Sequence, residues 1–298
     1  MIWRGAVSGQ KSLRAASSGG YVIFLIALAL FISYVDRGHL ATAAPMIEQQ
    51  LDRSSLKADV IRDVDFVVLR ELCGGIYFGE PRGIGRAADG VLRGTDTQVY
   101  SEPEIVRIAR TGFELAQSRR RILCSVDKAN VMESGVLWRR IVSRIGAQEY
   151  PEVALNHLYV DNAAMQIVRN PRQFDVLVTD NLFGDILSDC AAMITGSLGM
   201  LPSASLCYTS GGRSQKGLYE PVHGSAPDIA DRGIANPLGA ILSAGMMLKF
   251  TFGRPDLKDR IVNAVSIALK SGVLSADLGG RATSAEVTDA VMAALSSA

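Results

Sequence analysis

FDVLVTDNLFGDILSDCAAM, residues 174–193, opens as a short β-branched strand and, after a Phe-Gly turn, passes into an apolar run headed by Asp185 and Asp189. If that run is a helix, carboxylates four residues apart project from one face. Adjacent carboxylates repel, so both stay ionised only with a cation between them. A divalent, oxygen-seeking ion such as Mg2+ or Mn2+ suits that position. The plainer alternative is a first helical turn whose acids complement the macrodipole.

Working outward, residues 64–71 (VDFVVLRE), 121–127 (RILCSVD) and 154–161 (ALNHLYVD) repeat the strand pattern, while 103–117, 134–145 and 161–170 carry helical apolar spacing. This alternation predicts a layered α/β architecture. Residues 188–201 and 238–250 are strongly apolar helix candidates, the second opened by Pro237, and 256–269 and 284–296 add two amphipathic ones. SGGRSQKG, residues 210–217, predicts a polar loop between two halves.

A chain of 298 residues with 48% apolar content has room for about two domains. With 31 basic and 30 acidic residues the net charge is +1, which provides no long-range field for nucleic acid. The SRRR run at 118–121 ends a predicted helix, where cations suit the dipole. Cys73, Cys124, Cys190 and Cys207 form no C-x-x-C pair and read as reduced core thiols of a cytosolic protein. GIGRAA, residues 83–88, fits the loose dinucleotide fingerprint, but it follows no strand directly, and Gly90 and Gly94 interrupt any helix after it. It is read as a decoy.

Four further motifs surround the acidic pair: LRELCGGIYFGEPRG (69–83), SVDKANVMESGVLWR (125–139), YVDNAAMQIV (159–168) and EPVHGSAPDIADRGIANP (220–237). Together they resemble the isocitrate/isopropylmalate dehydrogenase family of β-decarboxylating enzymes, and the Arg-Glu-Leu-x-Gly-Gly-Ile-Tyr-Phe-Gly string is similar to its isopropylmalate branch. The resemblance runs from about Leu51 to the C-terminus. It implies an α/β, two-domain isopropylmalate dehydrogenase-like fold with part of the first domain missing. Residues 51–205 would form the substrate-binding and dimerisation domain, and 206–298 a remnant of the NAD-binding domain whose strands present bare edges.

The reaction implied is NAD-dependent oxidation and decarboxylation of (2R,3S)-3-isopropylmalate to 4-methyl-2-oxopentanoate in leucine biosynthesis, by a cytoplasmic homodimer. By resemblance Lys128 is the general base and Tyr77 the acid. Arg70 grips substrate carboxylate, and its two companion arginines belong to the segment not covered. Asp161, Asp185 and Asp189 would bind Mg2+ or Mn2+, with Lys128 and Asp161 reaching into the partner's site, where Asp161 also meets substrate. NAD would lie along His223, Gly224, Ser225, Ala226, Pro227 and Asp228, with Asn236 behind and Asn130 beside the nicotinamide. Asp228 would accept the ribose hydroxyls and disfavour a 2'-phosphate. Asp231 stands where the family usually has glycine.

The first fifty residues read differently. YVIFLIALALFISYV, residues 21–35, is fifteen residues without a charge, short of the about 20 that span a bilayer. Arg4, Lys11 and Arg14 before it also fit a signal peptide. Residues 21–51 resemble the first transmembrane helix of major facilitator superfamily transporters, so a transporter-like segment over 1–50, with a hydrophobic helix at 21–35 able to associate with membrane, is expected. Two further readings stand beside the enzyme: a catalytically inactive truncated fusion that keeps the dimerising domain, and a single-span membrane-anchored protein.

Overall fold

The computed structural model describes residues 63–207 and 216–297, with the backbone of Gly38–Ala43. The strand-forming runs assemble into one seven-stranded sheet in the order β6-β5-β7-β2-β1-β8-β9. Its strands are β1 (Gly38–Ala43), β2 (Phe66–Glu71), β5 (Ile122–Asp127), β6 (Ala154–Tyr159), β7 (Val176–Thr179), β8 (Pro202–Leu206) and β9 (Gly217–Pro221). β6, β5, β7 and β2 run parallel, while β1, β8 and β9 are joined by antiparallel pairings. The helices are α1 (Glu102–Gln117), α2 (Glu133–Glu149), α3 (Val160–Arg169), α4 (Asn181–Ala192), α5 (Leu238–Phe250), α6 (Pro255–Lys270) and α7 (Ser284–Ser296).

Side chains alternate across β2, and the layers follow from that alternation. Val67 and Leu69 join α1 and α2 through Ile105, Phe113, Trp138 and Ile145, whereas Phe66 and Val68 join α3 and α4 through Ala163, Ile167, Leu187 and Ala191. Each buried Val, Leu, Ile or Phe among them contributes roughly 1.5–3 kcal/mol. α5, α6 and α7 form a third core around Leu242, Val265, Leu269 and Val291. Since β8 and β9 lie in the same sheet as β2, the expected division near residue 205 falls within continuous hydrogen-bonded structure.

Several expectations are corrected. α4 begins at Asn181, where Asp180 caps it by accepting from the Phe183 N–H, so Phe183-Gly184 lies inside the helix instead of forming a turn. The helix expected over 188–201 ends at Ala192 and tightens into a 3-10 turn over Met193–Thr195, which Gly196 closes with a left-handed φ of 83° before a second turn at Leu198–Met200. Gly38–Ala43, expected within the transporter-like segment, is a strand bonded to β2 on one side and β8 on the other. That stretch of the segment is therefore extended chain, seated between β2 and β8. Residues 21–35 lie outside the described residues, and among those described no helix is long and apolar enough to cross a membrane.

The 210–217 loop lies mostly outside the described residues; β8 and β9, on either side of it, pair antiparallel in one sheet. GIGRAA supplies β3 (Gly83–Arg86), paired with β4 (Leu92–Thr95) in an exposed hairpin. The 118–121 cations do more than end α1. Arg119 Nε reaches the fully buried Asp175 at 2.7 Å, and the Arg120 N–H donates to the same carboxylate at 2.8 Å.

Candidate active site

β2 delivers Arg70 near its C-terminal end, and α4 receives it. Arg70 Nη1 lies 2.5 Å from Asp185 Oδ1, while Nε and Nη2 both donate to Asn181 Oδ1 at 3.0 and 2.8 Å. Asp185 sits one turn beyond Asn181 on the same helix, as helical periodicity requires. The chain leaving β2 turns back through a 3-10 turn, Gly75–Tyr77, which brings the Tyr77 hydroxyl within 2.8 Å of Asp185 Oδ2. Arg70, Tyr77 and Asp185 therefore converge, with the guanidinium 5.6 Å from the centre of the tyrosine ring. Desolvation first, and then the Asp185 carboxylate, push the Tyr77 hydroxyl above its ordinary pKa, which holds it as a proton donor.

Beside this group is a cavity of about 210 Å³ bounded by Arg70, Asp185, Ser188, Glu220 and His223. Asp189 lies one turn past Asp185. Its carboxyl is pushed up by burial and then by the Asp185 charge, the behaviour of an acid pair that a cation would relieve. Hard oxygen donors on one helical face suit Mg2+ or Mn2+. Asp161, on the first turn of α3, instead forms an ion pair with Lys128 at 2.5 Å, and that ammonium draws its carboxyl down. Among the described residues no three His, Cys, Asp or Glu side chains converge as a ready metal site. The one-chain geometry thus brings Asp185 and Asp189 together and leaves Asp161 with Lys128.

Lys128 follows the last residue of β5, and its position is set by its neighbour. Asp127, 2% exposed, accepts from Arg139 Nε and Nη2 at 2.9 Å each and from the Ala129 N–H at 2.9 Å. The Arg139 guanidinium and the Lys128 ammonium both face the Tyr159 ring, at 4.8 and 5.9 Å. Asn130 occupies the exposed turn that follows, closed by the Val131 N–H donating to the Lys128 carbonyl.

Residues 223–228 lie exposed, and His223 borders the same cavity as Arg70, so a cofactor laid along this loop would reach it. Ala226 and Asp231 hold φ values of 43° and 60°. The second is the left-handed backbone expected where the family keeps glycine. Asn236 differs from its neighbours. It is buried, donates to Asp277 at 2.9 Å and accepts from the Leu238 N–H at 2.9 Å, so its side chain braces the start of α5.

Sequence reasoning passed over Asn181 and Asp180. Asn181 is 2% exposed and each atom of its amide is used: besides Arg70, it donates to the Leu72 and Gly74 carbonyls at 3.0 and 3.1 Å. The signal available was its place one turn ahead of Asp185. Asp180 accepts from Gln98 at 2.8 Å, and burial lifts its carboxyl to about 6.

The isocitrate/isopropylmalate dehydrogenase family profile matches residues 41–291. The 3-isopropylmalate dehydrogenase of Methylococcus capsulatus is 55% identical over 256 residues, covering 85% of this chain and 69% of that one. 3-Isopropylmalate dehydrogenase 1 of Bradyrhizobium diazoefficiens is 57% identical over 248 residues, covering 82% and 65%. Among solved structures, isocitrate dehydrogenase from Methylococcus capsulatus superposes with a TM-score of 0.76 at 31% identity, covering 96% of this chain and 79% of that one. The β-decarboxylating dehydrogenase from Thermococcus kodakarensis gives 0.67 at 33%, covering 88% and 69%. The chain spans about two thirds of the length of these curated relatives.

Proposed function

The chain belongs to the isocitrate/isopropylmalate dehydrogenase family of oxidoreductases, and from that premise we propose that it oxidises and decarboxylates 3-isopropylmalate with NAD, a step of leucine biosynthesis. The observation that carries the reading is the convergence of Arg70, Tyr77 and Asp185 beside one cavity. Relatives above 50% identity bearing the name 3-isopropylmalate dehydrogenase support the choice of substrate.

In this reading Arg70, its plane held by Asn181, offers Nη1 to a substrate carboxylate in place of Asp185. Lys128, in its neutral amine form, takes the proton of the 2-hydroxyl as that carbon is oxidised. Loss of the 3-carboxylate as CO2 leaves a carbon that Tyr77 protonates from its hydroxyl. Asp185 and Asp189, joined by Asp161 from a second copy of the chain, would hold Mg2+ or Mn2+, and residues 223–228 with Asn130 would hold NAD. When bound, the ion supplies positive charge to the developing oxyanion and NAD supplies the hydride acceptor. Asp161 and Lys128 are tied together on one chain, apart from the acidic pair, so completing the site across a homodimer is part of the proposal. The chain is assigned to the cytoplasm, where NAD is available.

Purified protein with 3-isopropylmalate, NAD and Mn2+ should reduce NAD and release CO2 in equal amounts. NAD reduction with isocitrate but none with 3-isopropylmalate would overturn the substrate, and none with either would overturn the activity.

A further inference from the structure

The geometry points to Asn181 and Gly184 as positioning residues that fix Arg70 for substrate, an inference that rests on Arg70 being the carboxylate-binding group. Arg70 leaves β2 with a flexible stem, and a guanidinium free to swing loses side-chain freedom on binding. Here that freedom is already removed at two places. Asn181 Oδ1 accepts from both Nε and Nη2, which sets the plane of the fork and leaves Nη1 on the Asp185 side. Gly184, three residues along the same helix, gives the stem its channel, since a Cβ there would lie 2.5 Å from Arg70 Cγ and 2.7 Å from Cβ. Those atoms are at the root of the side chain and cannot step aside without turning the whole arginine.

The same amide ties Arg70 to Tyr77. Asn181 Nδ2 donates to the Leu72 and Gly74 carbonyls, which open the turn carrying Tyr77, and the Asn181 N–H donates to the buried Tyr100 hydroxyl at 2.8 Å. One buried side chain at the start of α4 thereby sets the arginine and the tyrosine against Asp185, which is carried by that helix. Aspartate in its place would lose both donors and neutralise Arg70, and alanine would leave two carbonyls without their partner.

The test uses the full chain and two variants that disturb Arg70 from different sides. Gly184→Ala favours the helix by its propensity, so the fold should hold while Arg70 is displaced; Asn181→Ala releases the fork. Each is expected to raise the KM for 3-isopropylmalate at least tenfold while the KM for NAD changes less than twofold. Phenylglyoxal labelling followed by peptide mapping provides a readout that needs no turnover: Arg70 should react at least fivefold faster in Asn181→Ala, with the other arginines unchanged. An unchanged Arg70 labelling rate, or an equal rise at every arginine, would overturn the positioning role. If wild type labels as expected yet neither binds nor oxidises 3-isopropylmalate, the substrate assignment fails and the labelling still decides the role of Asn181. Unaltered KM values in an active Gly184→Ala enzyme would also overturn it.

Discussion

Around Arg70 every polar atom of the Asn181 amide is engaged with a protein partner, whereas residues 223–228 lie exposed, and in that loop and the turn after it Ala226, Asp231 and Gly233 hold φ values of 43°, 60° and 64°. The first region fixes side chains through buried hydrogen bonds. The second fixes a path of backbone and leaves its side chains in water. That division suits what each is proposed to meet, since a small dianion is recognised by a few directed charges and a dinucleotide by an extended run of main chain. A change on the substrate side should therefore act on chemistry and affinity together, and a change in the loop should act mainly through conformation.

The largest effect belongs to the substrate side. Lys128→Ala is expected to lower kcat by about 10²–10⁴-fold, the range for loss of a general base, with the KM for NAD little altered. A kcat within threefold of wild type would break the contrast, because Lys128 would then be only a partner of Asp161.

Next comes the acid beneath that side. Asp180 ionises at about 6 in the fold against an ordinary 3.8, with burial the main cause. Between those values the native state holds a proton that the unfolded chain has released, so this group's contribution to stability falls as pH rises from about 4 to about 6. Asp180→Asn keeps an acceptor for the Phe183 N–H and does not ionise. Its stability relative to wild type should grow by on the order of 2 kcal/mol between pH 4 and pH 7, measured by urea unfolding across that range. A constant difference would mean that Asp180 is ionised throughout.

The smallest effect sharpens the loop side. A β-branched residue at φ 60° is strained, so Asp231→Val should cost about 1–2 kcal/mol, while Asp231→Gly should be at least as stable as wild type. Equal melting temperatures for the two variants would remove the claim that backbone conformation shapes this loop.

The strands and helices whose periodicity is uninterrupted were legible in the sequence: residues 238–250 and 284–296 form helices with those bounds, and 64–71 and 121–127 contain β2 and β5. The departure at Asp231 was legible, but its φ of 60° was not: a carboxylate standing for glycine leaves the backbone conformation open until the loop is seen. The end of α4 was not, because Gly196 reads as one small residue in an apolar run and acts only through its φ. β1 was hidden for a related reason: GHLATA has little strand character of its own and takes extended form between two edges in need of partners. Asn181 escaped notice because its role is to bond Arg70, Leu72 and Gly74, a single stretch more than a hundred positions away in sequence, which no local pattern records.

Asp175 stands at the mouth of β7, and its contacts bear on how the sheet keeps alignment. Its carboxylate is fully buried and held by Arg119 and by the N–H groups of Arg120 and Ile122 before and at the start of β5, while its carbonyl accepts from Val67 of β2. β7 itself is Val-Leu-Val-Thr, apolar on both faces for its first three residues, so hydrophobic patterning alone would tolerate a slip of one residue along either neighbour. The buried charge does not tolerate it. Sliding β7 by one place would strand Asp175 in a dry setting away from the Arg119 and Arg120 guanidinium groups, at a cost of about 3–5 kcal/mol, so a single buried carboxylate acts as the index pin that keeps three parallel strands in step.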